Sequence, residues 1–224
     1  MNHSLKILAL FMSAAFILAG PVAATEKRGE KASDPKAVLR MLIEGNKRFV
    51  SGSARHPNQT TCRRGSIAQK QKPKAILVCC SDSRVPPEIL FDCGLGDIFV
   101  VRTAGEVVTD VELGSIEYGA EHLGASLIMV LGHERCGAVA AAVKGGKAPG
   151  HIGSIIKEID PAVVEAKRSG AKDILDRTMR INARNVAKKI GESELIEELV
   201  AKGKAKIVVA SYDLDSGLVE VHKR

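Results

Sequence analysis

The sequence predicts an α/β protein built on a mainly parallel β-sheet flanked by helices. Three short, continuous apolar runs have the composition of strands buried on both faces of a sheet, at residues 75–80, 98–102 and 126–131. Residues 111–123, between the second and third runs, have helical spacing. They complete a βαβ unit, whose right-handed crossover makes the two strands parallel.

The remaining elements follow in chain order. Apolar positions within residues 37–50 recur at helical spacing and predict an N-terminal helix. Residues 51–64 are rich in Ser, Gly, Pro, Asn and Thr, which predicts a loop. Three further helices are predicted, over residues 155–168, 171–190 and 193–201. Two final apolar runs, 206–211 and 218–221, flank a short polar loop and predict a closing hairpin at the edge of the sheet.

The first 24 residues have the order of a secretory signal peptide. A polar start containing Lys6 precedes an apolar run over residues 7–18, and small residues continue to Ala24. The run is shorter than the roughly 20 residues of a membrane span. We therefore expect cleavage before Thr25, a periplasmic or secreted protein, and no stable membrane anchor afterwards. Residues 25–36 are expected to form a flexible lead-in to one domain, residues 37–224.

The charge of the chain does not indicate a nucleic-acid partner. The formal net charge is +7, but only 3% of the residues are aromatic and none is tryptophan. Proteins that bind single-stranded nucleic acid combine a basic groove with aromatic stacking platforms. The basic residues here are mixed with acidic ones, which is typical of a solvated surface.

The cysteine count suggests a role other than disulfide bonding alone. A pure disulfide framework would leave one thiol over, because the chain has five cysteines: Cys62, Cys79, Cys80, Cys93 and Cys136. Metal ligation of some of them explains the count at least as well. A Cys62–Cys93 disulfide is a hypothesis for an oxidising compartment, and a strained redox pair of Cys79 with Cys80 is an alternative.

Two loops that follow predicted strands carry the residue types of a metal site. Cys80 ends the first strand, while His133 and Cys136 follow the third strand and lie three positions apart. Ligands of open α/β sheets bind beyond the carboxyl ends of the strands, so these side chains are expected to converge. Two thiolates and one imidazole suit Zn²⁺, and three protein ligands leave the open position of a catalytic site. Each residue alone is explained equally well as part of the core.

Cys80-x-Asp82-x-Arg84 followed at a distance by His133-x-x-Cys136 resembles the signature of the β-class carbonic anhydrases. The similarity extends through further stretches, at residues 44–49, 94–105 and 115–118. The resemblance implies the β-carbonic anhydrase fold, with residues 37–224 as the catalytic domain. It also implies a zinc lyase that converts CO2 reversibly to bicarbonate and a proton through zinc-bound hydroxide. Its ligands would be Cys80, His133 and Cys136, and the enzyme would be a homodimer or homotetramer.

The resemblance assigns Asp82 and Arg84 to the catalytic dyad. An aspartate paired with arginine stays ionised, so Asp82 would accept a hydrogen bond from the hydroxide and orient it. Some relatives have a closed form in which this aspartate is the fourth zinc ligand, and also a second bicarbonate site that uses a tryptophan. The absence of tryptophan favours the open form here. Two thiolate ligands offset the charge of zinc, so we expect activity to rise towards alkaline pH.

Further residues match the substrate side of the family's pocket. Gln71 would donate an amide hydrogen to the substrate, with Phe99 and Tyr118 lining the pocket, and all three would serve the zinc of a neighbouring subunit. His122 follows Tyr118 by one helical turn and is a candidate proton shuttle, with a surface histidine as the equal alternative. Glu106 stands where many relatives have Asn, so the hydrogen bonds of its turn do not follow from the resemblance.

Three alternatives to CO2 hydration remain at this point. Related enzymes with the same site hydrolyse carbon disulfide or carbonyl sulfide. A non-catalytic zinc protein would have no need of Asp82, Arg84 or Gln71. A thiol-redox protein that used Cys79 and Cys80 would bind no metal.

Overall fold

A five-stranded sheet organises the part of the chain that this computed structural model describes, residues 33–222. The strands are β1 (Ala75–Cys80), β2 (Ile98–Thr103), β3 (Leu127–His133), β4 (Lys206–Tyr212) and β5 (Val219–Val221). Their order in the sheet is β2-β1-β3-β4-β5, and all neighbours are parallel except β4 and β5. The predicted mainly parallel sheet with a C-terminal edge hairpin is confirmed.

Eight α-helices lie within residues 33–222. They are α1 (Pro35–Val50), α2 (Thr61–Ile67), α3 (Pro87–Leu90), α4 (Asp110–Glu117), α5 (Gly137–Lys144), α6 (Ile152–Arg168), α7 (Ile174–Gly191) and α8 (Glu194–Ala201). A π-helical turn, Tyr118–His122, continues α4. None of the described helices has both the length and the apolar character that a membrane crossing requires.

Several helices differ from the sequence-based prediction. Helix α6 begins at Ile152, three residues before its predicted start, and α7 begins at Ile174, three residues after it. The first helix begins at Pro35, inside the predicted lead-in, because the Asp34 carboxylate accepts a hydrogen bond from the Lys36 N–H and proline is favoured in the first turn. Helix α2 occupies the end of the predicted loop, where the Thr60 hydroxyl accepts from the Arg63 N–H. The predicted signal peptide and residues 25–32 lie outside the described residues.

The sheet is covered on both faces, as its continuous apolar runs predict. Every residue of β1 and β3 is buried. Leu77 and Met129 belong to the core on the face with α1, whereas Ile76 and Ile128 belong to the core on the face with α7 and α8. Polar side chains are therefore restricted to the ends of these strands, where the loops begin.

The N-terminal helix packs tightly against the rest of the domain. The Asn46 amide is buried, donates to the carbonyls of Leu90 and Gly217, and accepts from the Val219 N–H. The neighbouring Gly45 is packed so closely that a Cβ atom there would lie 1.9 Å from the Phe91 carbonyl oxygen. Helix α1 is thereby fixed to α3 and to the C-terminal hairpin.

We predict that Gly45→Ala lowers the free energy of unfolding by about 3 kcal/mol, because a backbone atom blocks the added methyl group. Gly65→Ala is the matched control, since Gly65 is also helical but has no atom within 4 Å of the added Cβ. That control is expected to be neutral or to stabilise by about 0.5–1 kcal/mol. Urea unfolding of both variants measures the difference, and equal effects would contradict this packing.

Candidate metal centre

Three buried side chains meet where β1 and β3 end. Cys80 is the last residue of β1, His133 is the last residue of β3, and Cys136 caps the N-terminus of α5. The parallel register places Cys79 beside Leu131, so the two strands end at the same edge of the sheet. All three residues are at most 4% exposed. The structure thus brings together the three ligands predicted from the sequence.

The distances among the three side chains suit a tetrahedral metal ion. One ligand atom from each lies within 4.8 Å of the others, and the Cys80 and Cys136 sulfurs are 3.9 Å apart. Two thiolates bound tetrahedrally to zinc at about 2.3 Å are separated by about 3.8 Å. The two sulfurs are therefore already at the spacing that zinc requires.

The His133 ring is oriented as a metal ligand. Its Nδ1 atom is 2.8 Å from the Glu134 carbonyl oxygen, which fixes that nitrogen as the N–H donor. The other nitrogen, Nε2, is buried and has no hydrogen-bond partner among the described residues. A buried nitrogen lone pair without a partner is costly, and a bound cation would satisfy it. The donor set therefore fits zinc.

The protein also prepares Cys80 as a thiolate. The hydrogen bond shared with Cys136 lowers the pKa of Cys80, and the N–H groups of Gly105 and Asp82 lower it further, at 3.2 and 3.4 Å from the sulfur. The same contact with Cys80 raises the pKa of Cys136. The two sulfurs thus share a hydrogen bond without a metal, and metal binding would release the proton between them, as expected for thiolate ligands.

Asp82 and Arg84 form a two-point ion pair beside these ligands. The Arg84 Nε donates to Asp82 Oδ1 at 2.9 Å and its Nη2 donates to Oδ2 at 2.8 Å. The pair holds the pKa of Asp82 well below its usual range, chiefly through the arginine hydrogen bonds. Asp82 Oδ2 lies 3.9 Å from His133 Nε2. The carboxylate is thus ionised, bound to Arg84 and close to the three ligands.

Arg102 holds the loop that carries Cys80 and Asp82. Its guanidinium donates from Nε to the Cys80 carbonyl at 2.9 Å and from Nη2 to the Asp82 carbonyl at 2.7 Å. The sequence alone does not predict this contact, because the two carbonyls approach Arg102 only in the folded chain. The parallel pairing of Arg102 with Cys79 is the signal that places its side chain there.

The four residues predicted for the substrate side lie elsewhere in the chain. Gln71 is exposed and precedes the amino end of β1, and Phe99 pairs with Ile76 near that same end. Tyr118 is 6.3 Å from the Phe99 ring, and His122 stacks on Tyr118 at 4.9 Å. His122 thus lies beside Tyr118, one helical turn away, while its role as a proton shuttle stays a prediction. None of these four side chains accompanies the three ligands of its own chain.

The other cysteines do not form the pairs that were considered. Cys79 and Cys80 belong to different core clusters on opposite faces of β1, and burial raises the pKa of Cys79 to about 12. This makes Cys79 an inert thiol, so the redox alternative loses its basis. The Cys62–Cys93 disulfide hypothesis is wrong, since both are free: Cys62 is exposed on α2, while Cys93 is buried.

The turn after β2 contains a buried carboxyl group, that of Glu106. Burial raises its pKa to about 7, and its Oε2 atom has no hydrogen-bond partner among the described residues. Its other oxygen, Oε1, accepts a hydrogen bond at 3.0 Å from Asn182 of α7. The sequence marks Glu106 by its departure from the family pattern, but nothing in the helical pattern of α7 marks Asn182 as a buried polar residue.

Comparison with known proteins identifies the family. The family model described as carbonic anhydrase matches residues 75–219. Carbonic anhydrase 2 of Mycobacterium tuberculosis is 42% identical over 189 residues, which cover 83% of this chain and 91% of that protein. The carbonic anhydrase of Mycolicibacterium smegmatis is 41% identical over 197 residues, covering 84% and 94%.

Solved β-carbonic anhydrase structures share the fold. Tetrameric β-carbonic anhydrases from Sordaria macrospora match with a TM-score of 0.69 at 21% identity, covering 84% of this chain and 98% of that chain. The Coccomyxa β-carbonic anhydrase in complex with acetazolamide matches with a TM-score of 0.65 at 24% identity, covering 84% and 86%. With the sequence matches spanning most of the chain and the fold in common, this protein belongs to the β-carbonic anhydrase family.

Proposed function

We propose that the enzyme carries out the family's reaction, the reversible hydration of CO2 to bicarbonate and a proton, at a zinc ion held by Cys80, His133 and Cys136. Membership of the β-carbonic anhydrase family gives the reaction and the cofactor. The observation that carries the residue assignment is the convergence of two buried thiols and an unpartnered imidazole nitrogen beside an ionised carboxylate.

Cys80, His133 and Cys136 would hold the zinc ion and leave a fourth position open, where the metal would supply an activated water as the nucleophile. The chain contributes the environment in which this happens. The Cys80 sulfur accepts hydrogen bonds from the N–H groups of Gly105 and Asp82, and His133 Nδ1 donates to the Glu134 carbonyl. These hydrogen bonds orient both metal-ligating side chains before a metal binds. Preorganised ligands of this kind need no rearrangement during the reaction.

Asp82 is assigned the role of orienting the attacking water. As an ionised carboxylate it only accepts hydrogen bonds, and Arg84 already occupies one position on each of its oxygens. A remaining lone pair of Asp82 would accept a hydrogen bond from the attacking water and so orient that water towards CO2. With its depressed pKa, Asp82 keeps this role throughout the neutral range and does not act as the proton acceptor.

We propose further that Gln71, Phe99 and Tyr118 complete the pocket of a second subunit. Phe99 is level with Ile76, four residues before Cys80 along β1, which corresponds to about 13 Å of strand. Gln71 lies beyond the amino end of that strand. These side chains therefore lie away from the metal centre of their own chain, and we propose that they line the zinc site of a neighbouring chain instead.

The edge of the sheet at β2 supports such an assembly. Within the described residues β2 pairs with β1 alone, which leaves its outer edge open. Apolar side chains near this edge are exposed, with Tyr118 at 47% and Val111 at 76%. An open strand edge beside exposed apolar residues is typical of a surface that another chain covers. We propose a homodimer as the minimal unit, with a homotetramer as the larger assembly.

Export of the enzyme is also proposed, from the basic start, apolar run and small residues of the first 24 positions. We expect the mature protein in a bacterial host to begin at Thr25 and to lie outside the cytoplasm. N-terminal sequencing of the fractionated protein tests this. An intact N-terminus in the cytoplasmic fraction would contradict it.

The residue roles predict two different kinds of inactive enzyme. Cys136→Ser removes a ligand, so the variant is expected to lose both zinc and CO2 hydration. Asp82→Asn keeps the three ligands, so it should retain zinc but lose about 10²-fold in kcat/KM, because the attacking water is no longer oriented. Metal analysis and stopped-flow hydration test both. Full activity in Asp82→Asn, or in Cys136→Ser, would contradict the assignment.

The shared pocket predicts complementation between two impaired variants. In a dimer co-expressed from Gln71→Ala and Cys136→Ser chains, one zinc site receives an intact Gln71 from its partner. We expect the purified mixed dimer to recover about half of the wild-type activity, since one of its two equivalent sites is complete. The two parent homodimers serve as controls. A mixed dimer no more active than the Gln71→Ala parent would show that Gln71 acts within its own chain or not at all.

A further inference from the structure

The turn after β2 has an unusual conformation and touches the proposed metal site. Both Gly105 and Glu106 have positive φ angles, of 72° and 42°. Glycine adopts this region freely, but a residue with a long side chain does so at a cost that surrounding contacts must offset. The turn directs the Gly105 N–H to the Cys80 sulfur, 3.2 Å away.

One buried amide holds this turn in place. The Asn182 Nδ2 atom donates to the Gly105 carbonyl oxygen at 2.9 Å and to Glu106 Oε1 at 3.0 Å. Asn182 is 2% exposed and Glu106 is fully buried. Helix α7, which carries Asn182, packs against both β3 and β4, so the amide is supplied by a rigid part of the core.

Neighbouring side chains pack closely against the turn at Gly105. A Cβ atom at Gly105 would lie 2.8 Å from the Ile159 side chain and 3.1 Å from Ala138. Helices α5 and α6 therefore press on the turn from one side while Asn182 holds its carbonyl from another. Loss of the Asn182 contacts would release the carbonyl of the Gly105–Glu106 peptide, and relaxation of the strained Glu106 backbone would then turn this peptide and displace Gly105, whose own N–H donates to Cys80.

We propose that Asn182 and Glu106 are positioning residues of the zinc site, which hold Gly105 so that its N–H donates to the Cys80 thiolate. The inference rests on the proposed zinc ligands. A donor fixed on a ligating sulfur stabilises the thiolate and sets its orientation, and loss of such supporting contacts typically weakens metal binding by about 10–100-fold. Glu106 serves here through one acceptor oxygen, so the role does not require its negative charge.

The test compares zinc affinity across matched variants of the purified, zinc-depleted enzyme. Asn182→Ala removes both donor contacts, and Glu106→Ala removes the acceptor. Glu106→Gln retains the acceptor oxygen without the charge. Asn46→Ala is a control for general destabilisation. Like Asn182, Asn46 is a buried amide that donates two hydrogen bonds, but it lies on α1 and donates to carbonyls outside the turn after β2. Competition with a chromophoric chelator measures the affinity, and the thiolate absorption bands of the Co²⁺ form report on the Cys80 sulfur.

We expect Asn182→Ala and Glu106→Ala to bind zinc about 10–100-fold more weakly, with shifted cobalt bands, while Glu106→Gln and Asn46→Ala stay within about threefold of wild type. If one alanine variant fails to fold, the other still decides the result. Wild-type affinity and spectra in the alanine variants, or an equal loss in Asn46→Ala, would overturn the inference. If Cys136→Ser bound zinc as tightly as the wild type, that result would instead overturn the proposed function.

Discussion

The parallel pairing of β1 with β3 is the constraint on which the metal centre depends. It brings the ends of two buried strands to one edge of the sheet, so that Cys80 and His133 become neighbours although they lie 53 positions apart in the sequence. The side chains inside these buried strands are mostly apolar, so the metal-ligating and ionisable side chains lie where the strands end. Cys136, at the start of α5, completes the set.

The same sheet separates the two halves of the proposed pocket. Ligands and the Asp82–Arg84 pair lie at the carboxyl ends of the strands, while Phe99 is level with the amino-terminal half of β1. The length of β1 between them is why we propose that a second chain completes the pocket. On this proposal assembly is a condition of activity, and the outer edge of β2, which no other strand covers within residues 33–222, is the candidate surface.

The sequence was sufficient for the sheet, its C-terminal hairpin and the convergence of Cys80, His133 and Cys136, because strand periodicity and strand ends are local features. It was not sufficient for the residues that support this site. Arg102 and Asn182 act through backbone carbonyls reached only after folding, and Glu106 has a left-handed backbone that its residue type does not favour. Helix α2 was missed because one capping threonine outweighed a loop-like composition.

The most direct test of the account is X-ray absorption spectroscopy at the zinc edge of the loaded enzyme. Ligation by Cys80, Cys136 and His133 predicts two sulfur atoms at about 2.3 Å and two nitrogen or oxygen atoms at about 2.0–2.1 Å, one of them from the imidazole. In the Cys136→Ser variant any residual metal should show one sulfur atom fewer. A first shell without sulfur, or one made of four sulfur atoms, would contradict the proposed zinc site.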